Sequence, residues 1–158
     1  MFNPTAQIIA DSINLCGDRL TTFVLKYHRM IHSEFMTHRM LSKNSSSSRA
    51  IPVEKMIANV IADNVYPLHW GKNQKGMSAR EEVDEQTKID AKIVWNESRS
   101  QAIKHARMLV DIGIHKQIVN RILEPYSTIT VICSATEYQN FFEQRCHPDA
   151  QPEIKALA

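Results

Sequence analysis

The sequence carries almost no surplus charge. Nineteen Lys and Arg stand against seventeen Asp and Glu over 158 residues, a formal charge of +2, with an isoelectric point near 8.5. Proteins that track a long phosphate backbone have a denser basic surface, so nucleic acid is excluded as the main partner and a small anionic ligand fits better. Cysteine is scarce. Cys16, Cys133 and Cys146 are odd in number and show no CxxC spacing, which argues against a disulfide framework or a structural zinc and favours a reducing cytoplasm. Long apolar runs are missing, so no segment reads as membrane-spanning. The first fifteen residues, with Asn3 and Asp11, lack the basic-then-apolar order of a signal peptide. No internal repeat is present. An HExxH pattern is absent too; His28 and His32 share a face of an expected helix, but no third ligand follows, and no metal is expected.

What remains is 43% hydrophobic and 23% charged, the balance of one globular domain, 1–158, long enough to bury a core. Asn3-Pro4-Thr5 reads as a helix start leading to Ile8, Ile9, Ile13 and Leu15, with a break at Gly17-Asp18. Thr21, Phe23, Leu25 and Tyr27 then alternate as in a strand, and His28–Leu41 returns to helical spacing. Tyr27, Phe35, Met36 and Met40 read as core. Asn44–Ser48 reads as a loop and Pro52 as the opening of a second helix, with Val53, Met56, Ile57, Val60 and Ile61 as its stripe. After a long loop, a third helix is expected from Ser78, capped by Glu81, to about Ile112, with Ile103, Ala106, Leu109 and Val110 on one face. His115–Leu123 is helical to Pro125, Ile129–Cys133 is a second strand, and short helices follow near Glu137–Arg145 and Asp149. The class is α+β: helix-rich, with a small antiparallel sheet. Two strands make a marginal sheet, so their partners are expected from a missing segment or another subunit. Ala158 falls within a helical pattern with no cap, and the chain is expected to be incomplete at its C-terminus.

The chemistry concentrates in Thr37–Arg49. Arg39 and Arg49 bracket Asn44 and four consecutive serines. Hydroxyls, backbone N–H groups and a guanidinium fork suit a phosphate dianion. By composition alone a solvated linker is an equal reading. The position of the segment between two periodic elements of a small domain weakens the linker reading.

Here the sequence resembles the flavin-dependent thymidylate synthases, whose pattern is RHRxxSxNxxSxR. The chain reads THRxxSxNxxSxR, with His38, Arg39, Ser42, Asn44, Ser47 and Arg49 in register and Thr37 in place of the leading arginine. Arg121–Pro125 is similar to the family's RIxLP-type turn, and Asn140–Arg145 with Ala150–Ile154 is similar to its NFxxxR…AQxEI segment. The resemblance covers about Thr22–Arg49 and Arg121–Ile154.

It implies reductive methylation of dUMP to dTMP, with FAD as cofactor, methylenetetrahydrofolate as carbon donor and NADPH as reductant, in a homotetramer. Carried over by position, Glu34, Ser46, Ser47, Ser48, Arg49, Arg121 and Arg145 would bind dUMP, with Arg145 and Ser47 catalytic. His38, Arg39, Asn44, Asn140 and Asp149 would fall at the flavin. Arginine at a pyrimidine is chemically sensible, since it stabilises negative charge on the ring as C5 becomes nucleophilic. The chain departs from the pattern at four further places. Glu34 stands where Gln is usual, and a carboxylate beside a phosphate is unfavourable unless protonated or turned away. Ser45 replaces Glu, Asp149 replaces a flavin-side His, and the upstream HxxPFEH-like flavin segment is absent near Leu15–Asp18. Hydroxymethylation at C5 and a non-catalytic nucleotide-binding module remain as alternatives. The loop Trp70–Met77 reads either as an ordinary surface loop or as a flap over a nucleotide or folate.

Overall fold

The computed structural model describes residues 2–158. Four strands and six helices follow in the order β1 (Thr5–Ile13), β2 (Arg19–His28), α1 (His32–Met36), β3 (Ser42–Ser45), α2 (Val53–Asp63), α3 (Glu85–Asp111), α4 (Lys116–Val119), β4 (Thr128–Ala135), α5 (Gln139–Arg145) and α6 (Pro152–Leu157). Short 3-10 turns cover Arg29–Ile31, Ser48–Ala50 and Asn120–Tyr126. The class is α+β, as expected. The residues cluster in two compact units, a sheet unit (Asn3–Ser46 with Thr128–Ala158) and a helical unit (Ser47–Ser127 with Phe2).

In the sheet unit the strand order is β1-β2-β4-β3, with antiparallel neighbours throughout. The two strands expected from alternation, β2 and β4, are the central pair. Their partners come from this chain, which corrects the expectation of a missing segment or a second subunit. Thr5–Ile13 is a strand and not a helix. The sequence from Asn14 closes a hairpin in which Asn14 Oδ1 accepts from the Cys16 and Asp18 amides, both at 2.9 Å. Gly17 supplies the positive φ of 92° that this turn requires. Pairing with β2 thus overrides an ambiguous apolar spacing. Asn44 and Ser45, read as loop, lie in β3, where cross-strand bonds to β4 outweigh their polar character.

Leu25 and Tyr27 of β2 and Ile129, Val131, Cys133 and Ala135 of β4 line one buried face, covered by Ile31, Phe35, Phe141, Ile154 and Leu157. Met36 and Met40, read as core with Tyr27 and Phe35, are instead 43% and 76% exposed. The helix expected over His28–Leu41 shrinks to one 3-10 turn and the short α1, which turns those methionines outward.

In the helical unit, Met56, Ile57 and Val60 of α2 pack with Ala106, Val119 and Leu123; Ile61 and Val110 are exposed. The helix expected from Ser78 starts at Glu85, where the Asp84 carboxylate caps the Thr87 amide at 2.9 Å. Residues upstream are taken by another pairing: Lys72 N–H donates to Glu81 O at 2.8 Å and Val83 N–H to Trp70 O at 2.9 Å. Trp70 meets Trp95 edge to face at 6.2 Å. Among the described residues no helix is long and apolar enough to cross a membrane.

Candidate nucleotide site

The residues expected at the nucleotide and flavin fall in both units. In the sheet unit, Phe141 of α5 meets Phe35 of α1 at 5.8 Å and the His38 ring at 5.0 Å, each edge to face. Arg145 lies one helical turn beyond Phe141, on the same face. That packing carries its guanidinium to α1. Arg145 Nε donates to His38 Nε2 at 2.7 Å, and Nη1 pairs with Glu34 Oε1. Glu34 is therefore turned onto an arginine, which resolves the conflict that a carboxylate beside a phosphate would create. Their side chains are 30% and 16% exposed, shielded enough for the pair to matter more than a surface ion pair.

The bond from Arg145 requires an imidazole with a lone pair on Nε2, hence neutral. Burial, then the nearby charges of Arg145 and Lys43, hold the His38 pKa below its ordinary value. Lys43 contributes a second function. Its Nζ donates to Met36 O at 3.2 Å and to His38 O, satisfying carbonyls at the end of α1. Burial lowers its pKa in turn.

The other expected sheet-unit residues are exposed: Arg39, Asn44, Ser46, Asn140 and Asp149. Asn140 Oδ1 accepts from Gln144 Nε2 at 3.0 Å, and the Asp149 amide donates to His147 Nδ1 at 3.2 Å. As a donor set for a flavin dinucleotide, Arg39 suits a pyrophosphate and the two Asn amides suit ring edges. His38 fits less well, because its Nε2 already serves Arg145.

In the helical unit, the 3-10 turn Ser48–Ala50 presents Arg49, which is exposed. Ser47 Oγ accepts from the Arg49 amide only at 3.4 Å, a long contact that leaves the hydroxyl available to a ligand. The Ser48 hydroxyl points the other way: the residue is 1% exposed, and Oγ has no partner among the described residues. Asn120, unremarked in the sequence, has no exposed surface and donates from Nδ2 to Ser48 O at 2.8 Å and Ile51 O at 2.9 Å. Its neighbour Arg121 is half exposed and pairs with Glu124 at 3.0 Å. Helical spacing covered Asn120 and the family-like turn began only at Arg121, so nothing local set Asn120 apart from other polar residues. Lys116 Nζ reaches Ala50 O at 3.2 Å.

Residues 20–158 match the family described as thymidylate synthase complementing protein, a span that includes the middle of the chain. No curated protein matches the chain by sequence. Two solved structures of a UMP/dUMP methylase, PolB from Streptomyces cacaoi, share its fold. The one bound with 5-Br UMP has a TM-score of 0.68 at 15% identity, covering 99% of this chain and 86% of that one. The one bound with 5-Br dUMP has a TM-score of 0.70 at 14% identity, covering 99% and 87%.

Proposed function

The chain belongs to the thymidylate synthase complementing protein family, and from that premise we propose that it transfers a one-carbon unit to C5 of a pyrimidine nucleotide, converting dUMP to dTMP. The observation that carries this reading is Arg145, fixed by Glu34 and His38 through two side-chain bonds. A guanidinium held in this way is preorganised to stabilise negative charge on a pyrimidine as C5 turns nucleophilic, without the cost of reorienting during the reaction. Ser47 and Arg49 with Arg121 supply phosphate recognition, in which a bidentate arginine is the strongest element; Ser48, expected there too, is buried and turns its hydroxyl away. Glu34 acts through Arg145, and Ser46 lies at the edge of the serine segment. Ser47 contributes an exposed hydroxyl beside the nucleotide.

FAD, NADPH and methylenetetrahydrofolate complete the reading. Arg39, Asn44, Asn140 and Asp149 would hold the flavin, which supplies the hydride that reduces the transferred carbon to a methyl group. A homotetramer is supported by apolar side chains left on the surface, Ile93 and Val94 of α3 at 59% and 65% exposed and Ile9 and Ile13 of the edge strand β1 at 51% and 69%. Three free cysteines suit a reducing cytoplasm.

Incubation of the purified protein with dUMP, methylenetetrahydrofolate, NADPH and FAD tests the reaction, with the product identified by mass. A methylated nucleotide is expected. A hydroxymethylated product replaces reductive methylation by the simpler transfer, and no modified nucleotide from either dUMP or UMP overturns the enzymatic reading.

A further inference from the structure

The turn that carries Arg49 is held by its carbonyl groups. Asn120 Nδ2 donates to Ser48 O and Ile51 O, and Lys116 Nζ donates to Ala50 O. Carbonyl oxygens repel an anion, whereas N–H groups and guanidinium attract it. Engaging three of the four carbonyls of Ser48–Ile51 from the protein side removes them from a phosphate's surroundings and fixes the backbone from which Arg49 projects. Asn120 also directly precedes Arg121 in the chain. A single buried amide therefore ties the turn bearing one arginine to the backbone bearing the other.

Its burial shows that this is a built feature. Asn120 is 0% exposed and Ser48 1%, and a fully buried amide persists when its bonds offset the cost of removing it from water. Both donor distances lie in the optimal range. Two polar atoms beside the same turn, Asn120 Oδ1 and Ser48 Oγ, have no partner among the described residues. The local polar network is thus not closed by protein alone, and an ordered water is a chemically suitable occupant.

The geometry points to Asn120 as the positioning residue of the phosphate turn: it sets Arg49 and Arg121 for the phosphate monoester of a nucleotide. It touches no ligand itself, and Lys116 assists by holding Ala50 O. This assignment rests on the reading of Ser47–Arg49 as the phosphate turn.

The test compares the affinities of dUMP and deoxyuridine by calorimetry, since their ratio isolates the phosphate. Arg49→Ala checks the underlying reading and should collapse the ratio; an unchanged ratio there means that the turn binds no phosphate. Asn120→Leu removes both donated bonds without adding charge and keeps the branched shape of the side chain, with two methyl groups in place of the amide atoms. It should lower the dUMP preference by about tenfold or more while leaving deoxyuridine affinity in place. Asn120→Ser, which keeps one donor, should recover part of the loss. A collapsed ratio in Arg49→Ala beside a wild-type ratio in Asn120→Leu overturns the assignment of Asn120. Should Asn120→Leu lose its cooperative melt, Lys116→Met decides: a severalfold drop in the ratio is expected, and no drop overturns the proposal.

Discussion

At the residue scale, each candidate arginine depends on the groups that hold it, Arg145 on Glu34 and His38 and the turn of Arg49 on Asn120. Removing the Glu34 carboxylate leaves a half-buried guanidinium without its counter-charge, which costs more than an exposed ion pair contributes. Glu34→Ala should therefore lower unfolding stability by about 1–3 kcal/mol in denaturant titration. Glu34→Gln, which keeps an acceptor oxygen, should lose less; equal losses in the two variants would show that the charge and not the hydrogen bond matters. His38 sets an acid limit. Because its folded pKa is depressed, the folded state binds the proton less tightly than the unfolded chain. The stabilisation is fully present above the ordinary histidine value of about 6.5 and is lost as pH falls through the depressed one. Protonation also destroys the acceptor for Arg145 Nε. Nucleotide affinity should fall along the same acid limb, and His38→Gln should remove that limb from the pH profile. A limb of unchanged position in His38→Gln assigns it to another group. Motif spacing singled out His38, Arg145, Ser47 and Arg49 as candidates. Asn120 and Lys43 were not, because both act on backbone carbonyls that become neighbours only after folding.

At the element scale, local pattern located segments better than it typed them. Alternation found β2 and β4 because their inward residues meet a single apolar layer. The nine residues of β1 have no such layer: all are exposed, so their apolar spacing carries little information, and hairpin pairing decided the type. The start of α3 was misplaced for a related reason. Ser78–Val83 has a credible capping pattern, but Lys72 and Trp70 recruit its backbone into a bridge with Gly71 opposite Glu82. This bridge gives a sharp test. A Cβ on Gly71 would lie 2.2 Å from the Ala79 Cβ, and a methyl group packed near the backbone cannot swing aside. Gly71→Ala should cost about 1–3 kcal/mol, seen as a lower thermal midpoint. An unchanged midpoint would show that the Trp70–Ser78 loop adjusts freely.

At the scale of the whole molecule, the surface is more apolar than an isolated subunit needs. Ile89, Ile93 and Val94 on α3 are all at least half exposed, as are Ile9 and Ile13 on β1. β1 is also a sheet edge, which natural proteins usually cover or charge. Sedimentation should show a tetramer, and Ile93→Glu with Val94→Glu should shift it to smaller species while each subunit remains folded. A monomeric wild-type protein would sink the assembly reading. The sequence by itself determined the class, the central strand pair and α2, and it singled out the residues proposed for nucleotide chemistry, because these depend on periodicity and on side-chain types at fixed spacing. Tertiary structure alone decided that β1 and β3 complete the sheet, that Glu34 turns onto Arg145, and that Asn120 holds the turn of Arg49. The contacts of β3, Glu34 and Asn120 join residues far apart in the chain, and the β1–β2 hairpin, though close in sequence, rests on strand pairing; local propensity contains neither free energy.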